Sequence, residues 1–276
     1  MKVLNVCLDD YANYMYTNMV ALRSIGIDCE AFKVIPHPFS YKHEANIASL
    51  ADIKAMECDV LQVFHTGTEF MDMNAGKRIV YHTGTKYRNG ADVFDEMFKG
   101  WISVADLPEL ARRTDYFISM TVDTDAIQPD YTYKGGVVAH YPSHKETKGT
   151  DEILRRVPGI ICDRSNVPHM QNLKRMNECD IYVEMHAPTL FGRAHGNFST
   201  TTLEAAALGK IVVSMCDDFY REKYCDPPIF GIEDIPDLLA ADHNTLYNMK
   251  KESRKWVERY HSIPATARRI KEVVCG

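Results

Sequence analysis

The eight cysteines, at positions 7, 29, 58, 162, 179, 216, 225 and 275, include no C-x-x-C pair. That scatter excludes a zinc or paired-disulfide framework. Several thiols fall in apolar runs, as Cys7 does between Val3 and Leu8, so they read as reduced interior residues of a cytoplasmic protein. No apolar run approaches the ~20 residues of a membrane-spanning helix, and no signal-type apolar segment precedes the first strand-like run. Charge is not blocked either: Lys plus Arg is 32 against 38 for Asp plus Glu, a formal charge of −6. The composition therefore lacks the basic footprint of a nucleic-acid binder. Three motifs are also missing. Without G-x-S-x-G, a Walker P-loop, or G-x-G-x-x-G after the first strand, the chain does not read as a serine hydrolase, a P-loop NTPase or a simple dehydrogenase.

What is present is a rhythm of short buried strands and helices. With 276 residues, 45% hydrophobic and 25% charged, the chain has room for two modest α/β domains. Lys2–Leu8, Ile27–Ile35, Asp59–His65, Lys77–His82, Trp101–Ala105 and Tyr116–Met120 read as strands, and Tyr14–Ile25 as a helix stopped by Gly26. The opening βαβ predicts a parallel sheet. The pattern breaks near Gln128–Gly136 and restarts with strands at 136–141, 160–162 and 180–185 and helices at 149–156 and 167–177. A domain boundary near 134 follows, giving domains 1–134 and 135–276. The tail from Glu233 is mostly helical, with Trp256, Val257 and Tyr260 on one face and Pro264 as a break. In such sheets ligands bind beyond the strand carboxyl ends. The loops Asp9–Asn13, His65–Thr68, His82–Arg88, Ser143–Gly149 and His186–Thr202 should thus converge on a cleft between the domains.

One stretch stands out: Gly196-Asn-Phe-Ser-Thr-Thr-Thr-Leu-Glu204, continuing through Ala-Ala-Ala-Leu-Gly209 into Lys-Ile-Val-Val-Ser214. A Gly/Ser/Thr loop opening a short helix aims free backbone N–H groups and the positive dipole end at an anion such as phosphate. Glu204, one turn in, suits sugar hydroxyls. The same residues, Thr201 to Glu204, also fit a capping box.

Read together, His140-Tyr-Pro-Ser143, Lys148-Gly-Thr-Asp151, Val167–Ile181 and Leu203-Glu-Ala-Ala-Ala-Leu-Gly-Lys-Ile-Val-Val213 resemble the C-terminal half of GT-B glycosyltransferases of the retaining Glu-x7-Glu group, glycosyl transferases group 1. The resemblance is strong over 137–214 and weak elsewhere. It implies two Rossmann-like domains facing across a cleft, with an acceptor side in the first and a nucleotide-sugar donor side in the second. The implied reaction moves a sugar from the nucleotide to an acceptor hydroxyl with retention, using no metal and no cofactor. Positive groups and helix N-termini would stabilise the leaving diphosphate. Lys148 matches the family's phosphate lysine. Ser143, Gly149, Gly196, Asn197, Phe198, Ser199, Thr200 and Thr201 fall on the donor loops, and Glu204 matches the second motif glutamate, near the ribose. Asp10, Asn13 and Arg88 match acceptor-side loops. His82, rather than His65, is the histidine expected to hydrogen-bond the transferred sugar, a structural role being the other reading of either.

Three departures accompany the match. Eight residues before Glu204 stands Gly196 instead of the first motif glutamate, with His195 or Asn197 as the neighbours left to substitute. Ser143-His144 replaces the arginine usual before the lysine, leaving Arg193 or Arg88 to supply the charge. The chain is also short for the group. His140 and His144 are four apart but separated by Pro142 and a strand end, unlike a helical zinc pair. A silent nucleotide-sugar or carbohydrate-binding module, and an enzyme glycosylating a nucleic-acid base, are the competing readings. The acceptor (glycan, small molecule or modified nucleic acid) and the oligomeric state are not legible.

Overall fold

The structure, a computed structural model, describes residues 1–187, 189, 190, 193, 194 and 198–276, with backbone alone at 85, 112, 189, 190, 193 and 194. His195, Gly196 and Asn197 lie outside the described residues, as does the side chain of Arg193. The chain forms two compact units: Met1–Thr121 with Ile263–Gly276, and Val122–Ser262.

The first unit is a parallel sheet in the order β3-β2-β1-β4-β5-β6-β7. Its strands are β1 (Lys2–Cys7), β2 (Asp28–Lys33), β3 (Asn46–Ile47), β4 (Val60–Val63), β5 (Lys77–His82), β6 (Ile102–Ala105) and β7 (Tyr116–Phe117). The helices α1 (Tyr14–Ser24), α2 (Leu50–Lys54) and α3 (Gly84–Met97) connect them. Strands covered on both faces read as apolar runs, and β4, Val-Leu-Gln-Val, is buried throughout. Its Gln62 is tolerated because it donates to Asn5 Oδ1 at 2.8 Å, and Asn5 donates to Asn18 Oδ1 on α1 at 3.0 Å. Asn18 in turn donates to the Tyr81 hydroxyl at 3.1 Å, so this buried network ties α1 to three strands.

The second unit carries a parallel sheet in the order β14-β13-β10-β8-β9. It comprises β8 (Val138–His140), β9 (Ile161–Cys162), β10 (Ile181–Val183), β13 (Ile211–Val213) and β14 (Ile229–Phe230), while β11 (Thr189–Leu190) and β12 (Arg193–Ala194) pair as a separate ribbon. Its helices are α4 (Lys145–Lys148), α5 (Thr150–Arg156), α6 (His169–Asn177), α7 (Thr200–Ala207), α8 (Asp218–Lys223), α9 (Ile235–Ala240) and α10 (His243–His261). Helix α11 (Ile263–Cys275) returns to the first unit, where Ala267, Ile270, Val273 and Val274 join the core of Tyr14, Met15 and Leu22. That spacing is a helical stripe.

The unit edges at 121/122 and 262/263 differ from the division expected at 134. The cause is a set of cations that seize backbone carbonyls of 122–134, a tie with no sequence period. Arg254 donates to Thr124 O and Ile127 O, each at 2.7 Å, Lys210 to Asp130 O at 3.0 Å, and Lys250 to Thr132 O at 3.0 Å. Among the described residues no helix is long and apolar enough to cross a membrane.

Lys250 also donates to Asp180 at 2.6 Å, and this fully buried carboxylate accepts the N–H groups of Lys134, Gly136 and Val137. Removing the ammonium strands a buried charge, so Lys250→Met should cost about 3–5 kcal/mol. Urea denaturation checks this; a loss under ~1 kcal/mol would show the pair to be dispensable.

Candidate functional site

The chemistry-bearing residues gather at the carboxyl ends of each sheet. In the second unit, β8 delivers the chain into the short helix α4, where a polar loop was expected. Gly149 then turns it at φ +68° into α5. A Cβ on Gly149 would stand 2.0 Å from His186 O, so the residue must be glycine for both conformation and space. His186 N donates to Lys148 O at 3.0 Å, which staples this turn to the loop after β10. His186 Nε2 lies 2.9 Å from an Arg156 guanidinium nitrogen. Burial and that guanidinium lower the His186 pKa, so the neutral ring accepts the Arg156 hydrogen bond.

Glu184 ends the β10 run and is 2% exposed. Its Oε1 accepts the Lys148 ammonium and the Ser199 hydroxyl, the latter at 2.6 Å, and its Oε2 accepts from Ser214 at 3.4 Å. Burial opposes the charge, but the Lys148 ammonium and these hydrogen bonds outweigh it and hold the carboxyl below the ordinary glutamate range. Three sequence-distant elements thus meet on one carboxylate. Sequence reasoning named Lys148 and Ser199 and missed Glu184, whose only signal is a charged residue at the end of an apolar strand.

Ser199 is the N-cap of α7, its side chain accepting from Thr202 N. The capping box expected from Thr201 to Glu204 therefore does not form: the cap is two residues earlier, and Thr202 occupies the third helical position. Glu204, released from capping and 5% exposed, pairs instead with His169 Nε2 at 2.6 Å. His169, at the start of α6, is a second residue the sequence reading passed over. The Phe198 ring is interior, 4.3 Å from Tyr220 and edge-on to Trp256. Ser143 is exposed, and Thr200 and Thr201 are partly exposed. His140 is buried, with Nδ1 on Val183 O at 2.8 Å and Nε2 on Thr150 Oγ1 at 3.0 Å, a structural arrangement.

In the first unit, Asp10 follows β1 and caps α1, accepting Met15 N at 3.0 Å and Tyr16 N at 3.1 Å. His65 follows β4 and brings Nε2 to 3.3 Å from Asp10 Oδ1 and Nδ1 to 2.5 Å from Thr83 Oγ1. Both His65 and Thr66 sit in the left-handed region, at φ +56° and +57°. A β-branched residue there is uncommon. Asn13, also left-handed at φ +54°, donates to His43 O at 2.9 Å. His82 is placed differently from its expected sugar-facing role. It is 1% exposed and stacked on Tyr87, with ring centroids 3.9 Å apart. The turn after β5 is short, since α3 begins at Gly84, and it folds Tyr87 over His82. His65, not His82, is the histidine set among polar side chains. Arg88 is 2% exposed and paired with Glu109, so it is committed to an interior ion pair.

No protein-family profile and no curated protein sequence matches the chain. Solved structures do. The N-terminal domain of Candida albicans trehalose-6-phosphate phosphatase superposes with a TM-score of 0.65 at 9% identity, over 99% of this chain and 96% of that one. WaaG, a glycosyltransferase involved in lipopolysaccharide biosynthesis, superposes at 0.54 with 12% identity, over 99% of this chain and 100% of its own. The fold is GT-B. Each unit of this GT-B chain is a Rossmann-like parallel α/β sheet, and at these identities the likeness concerns the fold alone.

Two outcomes test the local account. Gly149→Ala should lower Tm by several degrees and weaken any ligand of the Lys148 turn, because the new methyl displaces the His186 carbonyl. A variant as stable as the parent would contradict the close approach. Burial pushes His82 down to about 4 from an ordinary 6.5. The neutral ring's stabilisation is thus complete above 6.5 and lost as pH falls toward 4, up to about 3 kcal/mol in all. His82→Phe should flatten the stability-against-pH curve across that window, and parallel curves would refute it.

Proposed function

We propose that the protein is a glycosyltransferase that takes its sugar from a nucleotide donor. The observation that carries this is the meeting of Lys148 and Ser199, the cap of α7, on the buried Glu184. A lysine and a helix N-terminus brought together at the carboxyl end of a Rossmann-like sheet form a site for phosphate oxygens. Glu204, one turn into the same helix, and its partner His169 supply polar groups for the nucleotide's sugar. WaaG, which shares the fold, is a glycosyltransferase.

In this reading the second unit holds the nucleotide sugar through Lys148, Gly149, Ser143, the backbone of 198–201 and Glu204, while the expected contacts Gly196 and Asn197 lie outside the described residues. The first unit meets the acceptor through Asp10 and Asn13, and the transferred sugar through His65. His65 replaces the sequence-favoured His82 because it presents ring nitrogens to Asp10 and Thr83 rather than a buried stacked face. Retention, and a leaving diphosphate neutralised by protein cations and amides without a metal, come from the resemblance over 137–214. A second reading, a nucleotide-sugar binder without turnover, draws on the compensation of Lys148 by Glu184 and on the glycine at 196.

The test is product formation over a panel of nucleotide sugars and acceptors. Wild type should turn over one of them, and Lys148→Ala and Glu204→Ala should lower kcat/KM by about 100-fold or more. Tight binding with no product from any acceptor would favour the binder, and unchanged activity in both variants would remove the site from this unit.

A further inference from the structure

Lys148 is not a free cation. Its ammonium rests on a carboxylate that is 2% exposed and also holds Ser199 and Ser214. We propose that Glu184 is an internal counter-anion for the phosphate subsite: it positions Lys148 and Ser199 in the ligand-free protein and competes with the ligand's phosphate for them. The inference rests on the nucleotide-binding reading above.

A buried carboxylate must keep a partner, so Lys148 cannot abandon Glu184 altogether when a phosphate arrives. An ammonium has three donors in all. One is spent on Glu184, which leaves the others for a phosphate oxygen while the lysine stays in place. Ser199 is divided in the same way: its hydroxyl donates to Glu184, its oxygen accepts from Thr202 N, and its backbone belongs to the α7 terminus. Glu184 therefore fixes two phosphate-facing groups at the cost of placing a negative charge beneath the anion they attract. His140 is held neutral by burial and is already bonded to Val183 O and Thr150, so it adds no positive charge against that of Glu184. The expected consequence is weak product retention. A leaving nucleoside diphosphate would be held loosely and released readily.

The reading predicts a gain of affinity, an outcome that loss of a purely structural glutamate does not produce. Inorganic pyrophosphate is the probe, because it does not depend on the base or sugar, and calorimetry on the full chain is the measurement. Glu184→Gln keeps the shape and removes the charge, and Glu184→Ala frees the lysine entirely, so whichever variant folds carries the test. Pyrophosphate should bind either variant about tenfold more tightly than wild type, and Lys148→Met should abolish that binding. Equal or weaker binding by a folded Glu184 variant, with wild type still binding, overturns the role of Glu184 alone. No binding by wild type or by any folded variant overturns both it and the phosphate site.

Discussion

The buried carboxylate of Glu184 is the constraint on which the candidate site depends. It forces Lys148, carried by the turn after β8, and Ser199, at the head of α7, to the same point, because an uncompensated charge in that interior is far costlier than two hydrogen bonds are rewarding. The local backbone conforms to the same demand. Gly149 makes a left-handed turn against the His186 carbonyl, and the His186 amide closes back on Lys148. The pair's dependence on pH follows in sign from the depressed Glu184 pKa: its stabilisation is present above the ordinary glutamate range and is lost only as pH falls through the lower, folded-state value.

The same device recurs elsewhere in the unit. Lys250 compensates Asp180 beneath the 134–137 turn, while Lys210 and Arg254, both buried, clamp the carbonyls of 124–130. Long side chains can do this because their stems pack as hydrocarbon while the charged head reaches a carbonyl or carboxylate. Buried cations thus hold irregular backbone that apolar packing alone would leave unpaired. In the first unit the neutral amides of Asn5, Asn18 and Gln62 bond one another in the interior and tie α1 to its strands.

The alternation of strands and helices was legible in the sequence because parallel strands buried on both faces leave continuous apolar runs, as in Val60–Val63 and Ile211–Val213. The paired-domain architecture followed from the restart of that alternation after Gly136. The unit edge did not, because ties from Arg254 and Lys250 to backbone carbonyls obey no period. Lys148 and Ser199 were readable as loop and cap residues. Glu184 was not, since a carboxylate at a strand end looks the same whether it faces water or a buried lysine. The Ser199 cap was misplaced to Thr201 because Ser, Thr, Thr and Thr in succession offer equivalent capping oxygens. His82 and His65 illustrate a different limit: both end strands before Thr-Gly-Thr, and only the fold of α3 shows that Tyr87 covers one of them.

The central claim is that the second unit holds a diphosphate at Lys148 and the head of α7. A crystal structure with the nucleoside diphosphate that most stabilises the protein tests it most directly. The account predicts phosphate oxygens within hydrogen-bond reach of Lys148 Nζ and of the backbone amides at 199–201, with Glu184 still on the lysine. A nucleotide bound with its phosphates away from Lys148 and α7 would contradict it.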